Sequence, residues 1–241
     1  MLHVIKEHLE RFEQIKRLFY SKTKVPVENN WRSRTSNEIW LEIVAQVVVV
    51  GRSEPWERLK ENTELIKKIS YENLVQIQDQ DKLRSAINNV LLKIGARYAS
   101  SDISKSVKAK ALAHNLNMLK RLEEGPKGFM KRLVEFKGSD GDRAKIGCVM
   151  NSFMYIKNKG ARDLLMELGV VRNAIALDAR IQAIFQKVGI QMPENFGGNS
   201  KIYEEIENDI LNKICTRLGL LGVEFDRMLY QNYEEIVKMA F

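Results

Sequence analysis

The spacing of apolar residues is the feature of this sequence that most constrains its fold. Between Leu2 and Tyr20, large apolar side chains recur every three or four residues, a period that gathers them on one face of a helix. Later segments repeat that period, and few stretches alternate apolar and polar residues as a half-buried strand does. Four prolines interrupt the 241 residues. The sequence therefore predicts an all-α fold.

Caps and helix breakers divide this pattern into separate helices. Ser53-Glu-Pro-Trp56, for example, combines an N-cap residue with a proline in the first turn. The run from Ile43 to Val50 is rich in valine and has β propensity, but partner strands are lacking, so we interpret it as part of a buried helix. The predicted helices span residues 2–20, 38–51, 54–69, 71–78, 81–96, 104–123, 129–136, 144–156, 161–168, 179–188, 202–218 and 223 to the C-terminus.

The segment Glu124-Gly-Pro-Lys-Gly128 is the clearest break in the pattern. We interpret residues 1–241 as one unit, and this break is a candidate boundary between two helical lobes. A turn between two neighbouring helices would have the same composition. A second glycine-containing segment, residues 137–142, is predicted to be a loop.

The charge of the chain favours a polyanionic partner. Lysine and arginine number 39 against 31 aspartate and glutamate residues, which gives a net charge of +8 and a pI near 9.4. Contacts with phosphates release counterions, so this excess favours nucleic-acid binding, although many basic proteins bind none. The 44% hydrophobic and 29% charged residues are typical of a soluble globular protein.

The cysteines and histidines indicate neither a disulfide nor a metal site. Cys148 and Cys215 lie far apart in apolar helical patterns, and we expect both to be reduced core residues. His3, His8 and His114 show no ligand spacing with one another or with the cysteines. We therefore expect no metal or redox cofactor.

The sequence also predicts a cytoplasmic protein without membrane contact. Its first residues are amphipathic and carry both acids and bases, unlike a secretory signal. The apolar run from Ile43 to Val50 is too short to cross a bilayer.

One segment carries candidate catalytic chemistry, and it runs from Lys159 to Asp178, a separation of 178 − 159 = 19 residues. Residues 144–169 are predicted to form a helical hairpin, in whose turn Asn158 or Gly160 takes a left-handed conformation. Lys159 is expected at the first residue of the second helix. There the positive end of the helix dipole lowers the pKa of an ammonium group and favours Schiff-base chemistry.

Asp178 is expected to cap the following helix and to remain ionised. A fixed carboxylate beside a sugar can stabilise an oxocarbenium-like centre and can help to activate an amine. A solvated lysine in a turn and a capping aspartate without further function would fit the same residues.

At these positions the sequence resembles the helix-hairpin-helix DNA glycosylase/lyase superfamily, and within it the archaeal-type (second) 8-oxoguanine DNA glycosylase branch. Lys159-Gly-Ala161 and Ile175-Ala-Leu-Asp178 are similar to two signatures of that superfamily at an appropriate separation. The resemblance implies a DNA-binding cleft between two helical lobes, with Lys159 attacking C1′ of a damaged nucleotide and Asp178 assisting. The hairpin departs from the superfamily because it lacks two glycines before the lysine.

Two further segments are similar to the same glycosylases. Gly95-Ala-Arg97-Tyr98 resembles a Gly-x-Arg-aromatic segment that closes a helix. Residues 222–230 resemble the C-terminal segment of the archaeal-type branch. This second resemblance implies that Tyr230 stacks on the flipped base and that the carboxylate of Phe241 lies close to it.

Several residues are expected to contact DNA. Arg52 is a candidate wedge or orphan-base contact, and a surface arginine beginning a loop would look the same. Arg180 is a candidate phosphate contact or a simple surface charge. The residues expected to contact DNA are Lys157, Asn158, Gly160, Arg52, Arg97 and Arg180.

The resemblance implies a monomeric DNA repair glycosylase with β-lyase activity, which excises 8-oxoguanine or another oxidised purine from double-stranded DNA. Such a protein would associate with the nucleoid when bound to DNA. Two alternatives stay open: a non-catalytic helical DNA-binding or adaptor protein, and a glycosylase for a different modified base. The base itself is not fixed by the sequence, because specificity depends on a few contacts drawn from distant segments.

Overall fold

The computed structural model describes residues 2–137 and 141–241, and in this part of the chain the regular elements are helices, with no strand. The α-helices are α1 (Lys6–Phe19), α2 (Ser36–Val48), α3 (Glu54–Lys60), α4 (Thr63–Ile69), α5 (Tyr71–Leu74), α6 (Gln80–Lys93), α7 (Val107–Lys120), α8 (Pro126–Val134), α9 (Gly141–Ser152), α10 (Asn158–Glu167), α11 (Ala179–Val188), α12 (Ser200–Ile210), α13 (Thr216–Leu218), α14 (Gly222–Gln231) and α15 (Tyr233–Ile236). Short 3-10 turns span Tyr20–Lys22, Asn30–Arg32, Ile103–Lys105 and Phe196–Gly198. The predicted all-α class is confirmed. Residues 138–140 of the predicted loop lie outside the described residues.

The chain forms two compact units. One consists of Met1–Glu28 with Leu165–Phe241, and the other of Asn29–Leu164. The first unit is therefore discontinuous in sequence, and its N-terminal segment and C-terminal part flank the second unit along the chain.

The break that suggested a lobe boundary, Glu124–Gly128, lies inside the second unit and forms the turn between α7 and α8. Gly125 has a φ of +56°, in the range that favours glycine. A Cβ atom on residue 128 would lie 1.8 Å from the carbonyl oxygen of Glu123. These glycines permit a tight interhelical turn, and the units divide instead at 28/29 and 164/165.

Helix α1 contributes to the core of the first unit. Phe12 and Ile15 are fully buried on its apolar face. The Phe12 ring centroid lies 5.2 Å from that of Phe185 and 5.3 Å from that of Phe225. Tilted and edge-on aromatic pairs of this kind add about 0.5–1.5 kcal/mol beyond their burial. Most of the face predicted from the sequence thus packs, whereas Ile5 and Leu18 on that face are exposed.

Helix α2 is buried along most of its length in the second unit. Thr35 and Glu38 form a capping box at its start, in which each accepts a hydrogen bond from the backbone N–H of the other. The indole of Trp40 donates to the carbonyl oxygen of Ile69 at 2.8 Å. The valine-rich run is helical, as predicted, as far as Val48. Within the described residues no helix combines the length and the apolar character needed to cross a bilayer.

Two long predicted helices are interrupted in the structure. The helix predicted over residues 54–69 is divided, because the side chain of Asn62 accepts a hydrogen bond from the N–H of Leu65 and begins a new helix, α4. The long helix predicted over residues 202–218 is present as α12 and α13, but Leu211–Cys215 between them is a π-helix.

Candidate functional site

The turn between α9 and α10 differs from the predicted hairpin turn. Its left-handed residue is Tyr155, with a φ of +70°, whereas neither Asn158 nor Gly160 has a positive φ. Helix α10 begins at Asn158, three residues earlier than the predicted start at Ala161. The expectation that Asn158 or Gly160 forms the turn is therefore wrong, because both residues already belong to α10.

The burial of Asn158 also corrects its expected role. The residue is 3% exposed, and Arg162 donates to its backbone oxygen at 3.1 Å. A side chain buried to this extent is not presented to a DNA phosphate. Lys157, the residue before it, is exposed, and its contact with a phosphate stays a prediction.

Lys159 is the second residue of α10 and pairs with a carboxylate on the same helix. Its Nζ lies 2.9 Å from Oδ2 of Asp163, four residues later. The two side chains retain 34% and 19% of their exposure, so the pair is partly desolvated but still reachable. The candidate nucleophile thus lies beside an acid that the sequence interpretation did not include.

A buried amide completes this cluster from helix α2. Gln46 is 7% exposed, and its Nε2 donates to Oδ2 of Asp163 at 3.2 Å. Its Oε1 has no hydrogen-bond partner within the described part of the chain. That oxygen would lie 3.5 Å from a Cβ atom on Gly160, an ordinary van der Waals distance, so it lies against the first turn of α10.

A second cluster lies at the C-terminal end of α2. The Nζ of Lys108 donates to the carbonyl oxygens of Val48 and Val50, at 2.7 and 2.9 Å. Lys108 is fully buried, and this burial, together with the positive charge of Arg97, lowers the pKa of its ammonium group to about 8. Since the C-terminal end of a helix is its negative end, the lysine satisfies carbonyls that the helix leaves unpaired.

Arg97 lies against the loop that follows α2. Its guanidinium group is 5.0 Å from the ring centroid of Tyr98, and its Cδ would lie 2.9 Å from a Cβ atom on Gly51. Arg97 and Arg52 are both exposed. Burial, followed by the influence of Tyr98, raises the pKa of Tyr155. Two of the three arginines predicted to contact DNA, Arg52 and Arg97, therefore belong to neighbouring loops of the second unit.

Asp178 caps α11, as the sequence predicts. Its Oδ1 accepts hydrogen bonds from the backbone N–H groups of Arg180 and Ile181, each at 3.0 Å. The residue is half-buried. Its carboxylate is therefore fixed in direction by the helix that it begins.

The connector before Asp178 is held by buried side chains of α12 and α14. Three successive backbone N–H groups, those of residues 175–177, each donate to a different side chain. Glu207 accepts from the first at 2.8 Å, Asp226 from the second at 2.7 Å, and the Tyr203 hydroxyl from the third at 2.7 Å. The Tyr203 hydroxyl also donates to the oxygen of Ile175 at 3.0 Å. Side chains thus replace the backbone partners that an irregular buried segment lacks.

The aromatic residues predicted to hold the base lie in the first unit, each beside an arginine. The guanidinium of Arg180 lies 4.8 Å from the ring centroid of Tyr230 and 5.8 Å from that of Tyr233. The guanidinium of Arg11 lies 5.9 Å from the ring of Phe241. Tyr230 and Phe241 remain 38% and 37% exposed, so each ring has accessible surface.

The structure assigns the predicted site residues to both units. The second unit contains Arg52, Arg97, Lys157, Asn158, Lys159 and Gly160, and the first contains Asp178, Arg180, Tyr230 and Phe241. The sequence interpretation missed Gln46 and Asp163, although an amide inside a valine-rich helix and an acid four residues after Lys159 were visible signals. Within residues 2–137 and 141–241, no group of three or more His, Cys, Asp and Glu side chains is arranged to hold a metal ion.

Over nearly the whole chain the fold is that of the 8-oxoguanine DNA glycosylases. The 8-oxoguanine DNA glycosylase of Thermotoga maritima is similar with a TM-score of 0.62 and 17% identity, over 93% of this chain and 93% of that chain. The Methanocaldococcus jannaschii 8-oxoguanine DNA glycosylase gives a TM-score of 0.60 and 16% identity, over 92% of this chain and 91% of its own.

A third structure is the Methanocaldococcus jannaschii 8-oxoguanine glycosylase/lyase in complex with a 15mer DNA containing 8-oxoguanine. It gives a TM-score of 0.62 and 15% identity, over 95% of this chain and 99% of that chain. At these identities the likeness concerns the fold, and it confirms at that level the resemblance found in the sequence. No family model matches the chain, and no curated protein does.

Proposed function

We propose that this protein is a DNA glycosylase with β-lyase activity, which excises an oxidised purine, 8-oxoguanine foremost, through a Schiff base on Lys159. A fold can carry many functions, so the proposal depends on the site within it. The observation that carries it is Lys159 in the first turn of α10, partly exposed and paired with a carboxylate. The fold shared with three glycosylase structures supports the same assignment.

In the proposed reaction the damaged base first leaves the DNA stack, at a free-energy cost of a few kcal/mol. The neutral amine of Lys159 then forms a bond to C1′ while the bond between C1′ and the base breaks, and the base leaves with the electron pair. Loss of a proton from the amine and opening of the sugar ring give the Schiff base. Removal of a C2′ proton then expels the 3′ phosphate, which cleaves the strand.

The first unit is proposed to contribute charge stabilisation and base contacts. Asp178 is fixed by two backbone N–H groups, and such a carboxylate stabilises positive charge that develops on a sugar. The exposed ring of Tyr230 and the terminal Phe241 are proposed to hold the base. Double-stranded DNA is the proposed partner, with Arg180 as a candidate phosphate contact.

Exposed cations of the second unit are proposed to position the DNA backbone. Lys157, Arg52 and Arg97 are exposed, and the net charge of +8 favours association with a polyanion. Contacts of this kind fix the register of the protein on the duplex without reading its sequence.

Borohydride trapping tests the lysine assignment directly. The protein is incubated with a duplex that contains 8-oxoguanine, and with the same duplex carrying an abasic site, in the presence of sodium borohydride. We expect a covalent complex that Lys159→Gln abolishes. Lys213→Gln is the matched control, because Lys213 pairs with Asp209 at the same 2.9 Å on a helix of the first unit.

Three outcomes would count against this proposal. Trapping that survives Lys159→Gln would remove the lysine from the mechanism. Trapping on the abasic duplex with no excision from the 8-oxoguanine duplex would point to a different base, which a screen over other lesions would identify. Binding without trapping on either duplex would favour the DNA-binding or adaptor alternative.

A further inference from the structure

We propose that Asp163 is a catalytic residue that accepts the proton of Lys159, and that Gln46 is the positioning residue that holds the Asp163 carboxylate in place. This inference rests on the proposed function, because it concerns how the amine of Lys159 becomes neutral before it attacks. All three residues belong to the second unit.

The geometry that points to this role is a single shared oxygen. Oδ2 of Asp163 lies 2.9 Å from Nζ of Lys159 and 3.2 Å from Nε2 of Gln46. The first contact is a path for direct proton transfer, since a general base must lie within hydrogen-bond distance of the proton that it removes. The second contact comes from α2, so the carboxylate is held from two helices.

Helix stability does not explain the order of this ion pair. An acid followed four residues later by a base is the stabilising order, because it also complements the helix dipole. Asp209 and Lys213 have that order, whereas Lys159 and Asp163 have the reverse. The ammonium of Lys159 also lies in the first turn of α10, at the positive end of the helix. The pair is thus arranged against the preference of its own helix.

Gln46 gives a second, independent sign of function. It is a polar residue at 7% exposure inside a helix whose other buried side chains are mainly apolar. Its Oε1 makes no hydrogen bond within the described residues, and a buried acceptor without a partner is destabilising. The hydrogen bond that the amide does make goes to Asp163. The amide orientation that lets Nε2 donate to the Asp163 carboxylate therefore leaves Oε1 of Gln46 without a hydrogen bond.

The proposed proton transfer balances as follows. A proton moves from Nζ of Lys159 to Oδ2 of Asp163, which leaves a neutral amine and a carboxylic acid. The lone pair of the amine forms the bond to C1′, and the base departs with the electrons of its bond to C1′. The carboxylic acid then gives its proton to the departing base. Bound DNA excludes water and so favours the first step. Loss of hydration destabilises the ammonium and the carboxylate more than it destabilises the neutral amine and the carboxylic acid.

Lys159 can release a proton to Asp163, whereas Gln46 and Arg162 cannot. Gln46, which contacts it from α2, is neutral. Arg162, the neighbouring charge on α10, donates to the backbone oxygen of Asn158 at 3.1 Å. An arginine does not release its proton in a protein, so Lys159 is the proposed proton donor.

The test is the rate of borohydride trapping on abasic DNA, measured for Asp163→Asn and for the wild-type protein. The substitution preserves shape and hydrogen-bond acceptance but removes basicity. We expect a rate about 100-fold lower, at the lower end of general acid–base effects, with DNA binding unchanged. We also expect the variant's rate to rise about tenfold per pH unit between about pH 6 and 8, because solvent must then remove the proton, whereas the wild-type rate changes little.

Matched variants separate catalysis from folding. Asp209→Asn removes an ion pair of the same 2.9 Å length, whose carboxylate side chain is 13% exposed. The trapping rate of this variant should equal that of the wild type. Gln46→Met preserves volume and leaves Asp163 intact, and it should lower kcat about tenfold with KM unchanged, since misplacement alone slows a reaction. A Gln46→Met effect confined to KM would contradict the positioning role.

The outcomes distinguish this inference from the proposed function. If the wild type traps, Lys159→Gln does not, and Asp163→Asn traps at the wild-type rate or faster, Asp163 merely restrains the lysine and this inference fails alone. If the wild type does not trap, or if Lys159→Gln still does, both proposals fail.

Discussion

Replacement of Lys108 by methionine should change how the stability of the protein depends on pH. Burial, with Arg97 nearby, lowers the pKa of this lysine from 10.5 to about 8 in the folded state. Between those two values the unfolded chain holds a proton that the folded chain has lost, so stability rises with pH across that window. Below about pH 8 both states are protonated, and the folded state carries the full penalty of the buried charge.

The size of the effect follows from the shift. A fall in pKa from 10.5 to about 8 corresponds to about 3 kcal/mol, since one unit is about 1.4 kcal/mol. This value is an upper bound. The Nζ of Lys108 donates to the oxygens of Val48 and Val50 at the negative end of α2, and both contacts favour the charged form.

Urea unfolding of the wild type and of Lys108→Met at several pH values measures this contribution. The difference in unfolding free energy should rise by up to about 2.5 kcal/mol in favour of the wild type between about pH 7 and 10. Taking the difference removes the opposite contribution of Cys215. Burial raises the pKa of its thiol from 9.0 to about 12, so its effect on stability falls with pH in that range.

Lys110 supplies the control, because it is exposed on the same helix, α7. Lys110→Met should give a difference from the wild type that does not change with pH. A flat difference for Lys108→Met as well would refute the reasoning, since it would mean that the two carbonyl oxygens compensate fully for burial.

Two further predictions concern the segment that leads to Asp178 and the aspartate itself. A Cβ atom on Gly222 would lie 2.7 Å from the backbone nitrogen of Ala174, so Gly222→Ala should destabilise the protein by about 1–3 kcal/mol in urea unfolding. Gly147→Ala, where nothing lies within 4 Å, should stabilise it by about 0.5–1 kcal/mol, and equal effects of the two would contradict the crowding argument. Asp178→Asn preserves a helix cap and should change stability by less than about 0.5 kcal/mol, yet it should remove base excision while DNA binding persists. Excision at the wild-type rate by this variant would show that Asp178 is a cap without a catalytic role.

Local sequence signals predicted the elements whose determinants are themselves local. The apolar face of α1 follows from a period of three to four residues, and the cap at Asp178 follows from one side chain and the two N–H groups after it. The local signals did not predict the hairpin turn correctly. Its left-handed residue is Tyr155, and residues with aromatic side chains rarely adopt the left-handed backbone conformation. The residue types in the turn therefore led us to predict Asn158 or Gly160 at that position.

Contacts between residues far apart in the chain could not be predicted from the sequence. Gln46 and Asp163 are 117 positions apart, and Lys108 reaches the oxygen of Val48 across 60 positions. Whether a polar residue inside an apolar helix meets a partner is decided by which helix packs against it, and a single sequence does not contain that information. The predicted nucleophile was therefore found without its neighbouring acid.

The contacts between α14 and the connector before Asp178 give a structural role to residues 222–230, the segment that resembles the archaeal-type glycosylases. Asp226 in α14 accepts the N–H of Ala176 at 2.7 Å, and the lack of a side chain at Gly222 lets the start of the same helix approach Ala174. A charged group at 1% exposure is stable only when it is paired or hydrogen-bonded, so Asp226 and the connector depend on each other. Helix α14 thus places the residues that precede the Asp178 cap, in addition to carrying Tyr230. Any role of this C-terminal segment in holding a base would therefore be coupled to the position of the Asp178 carboxylate.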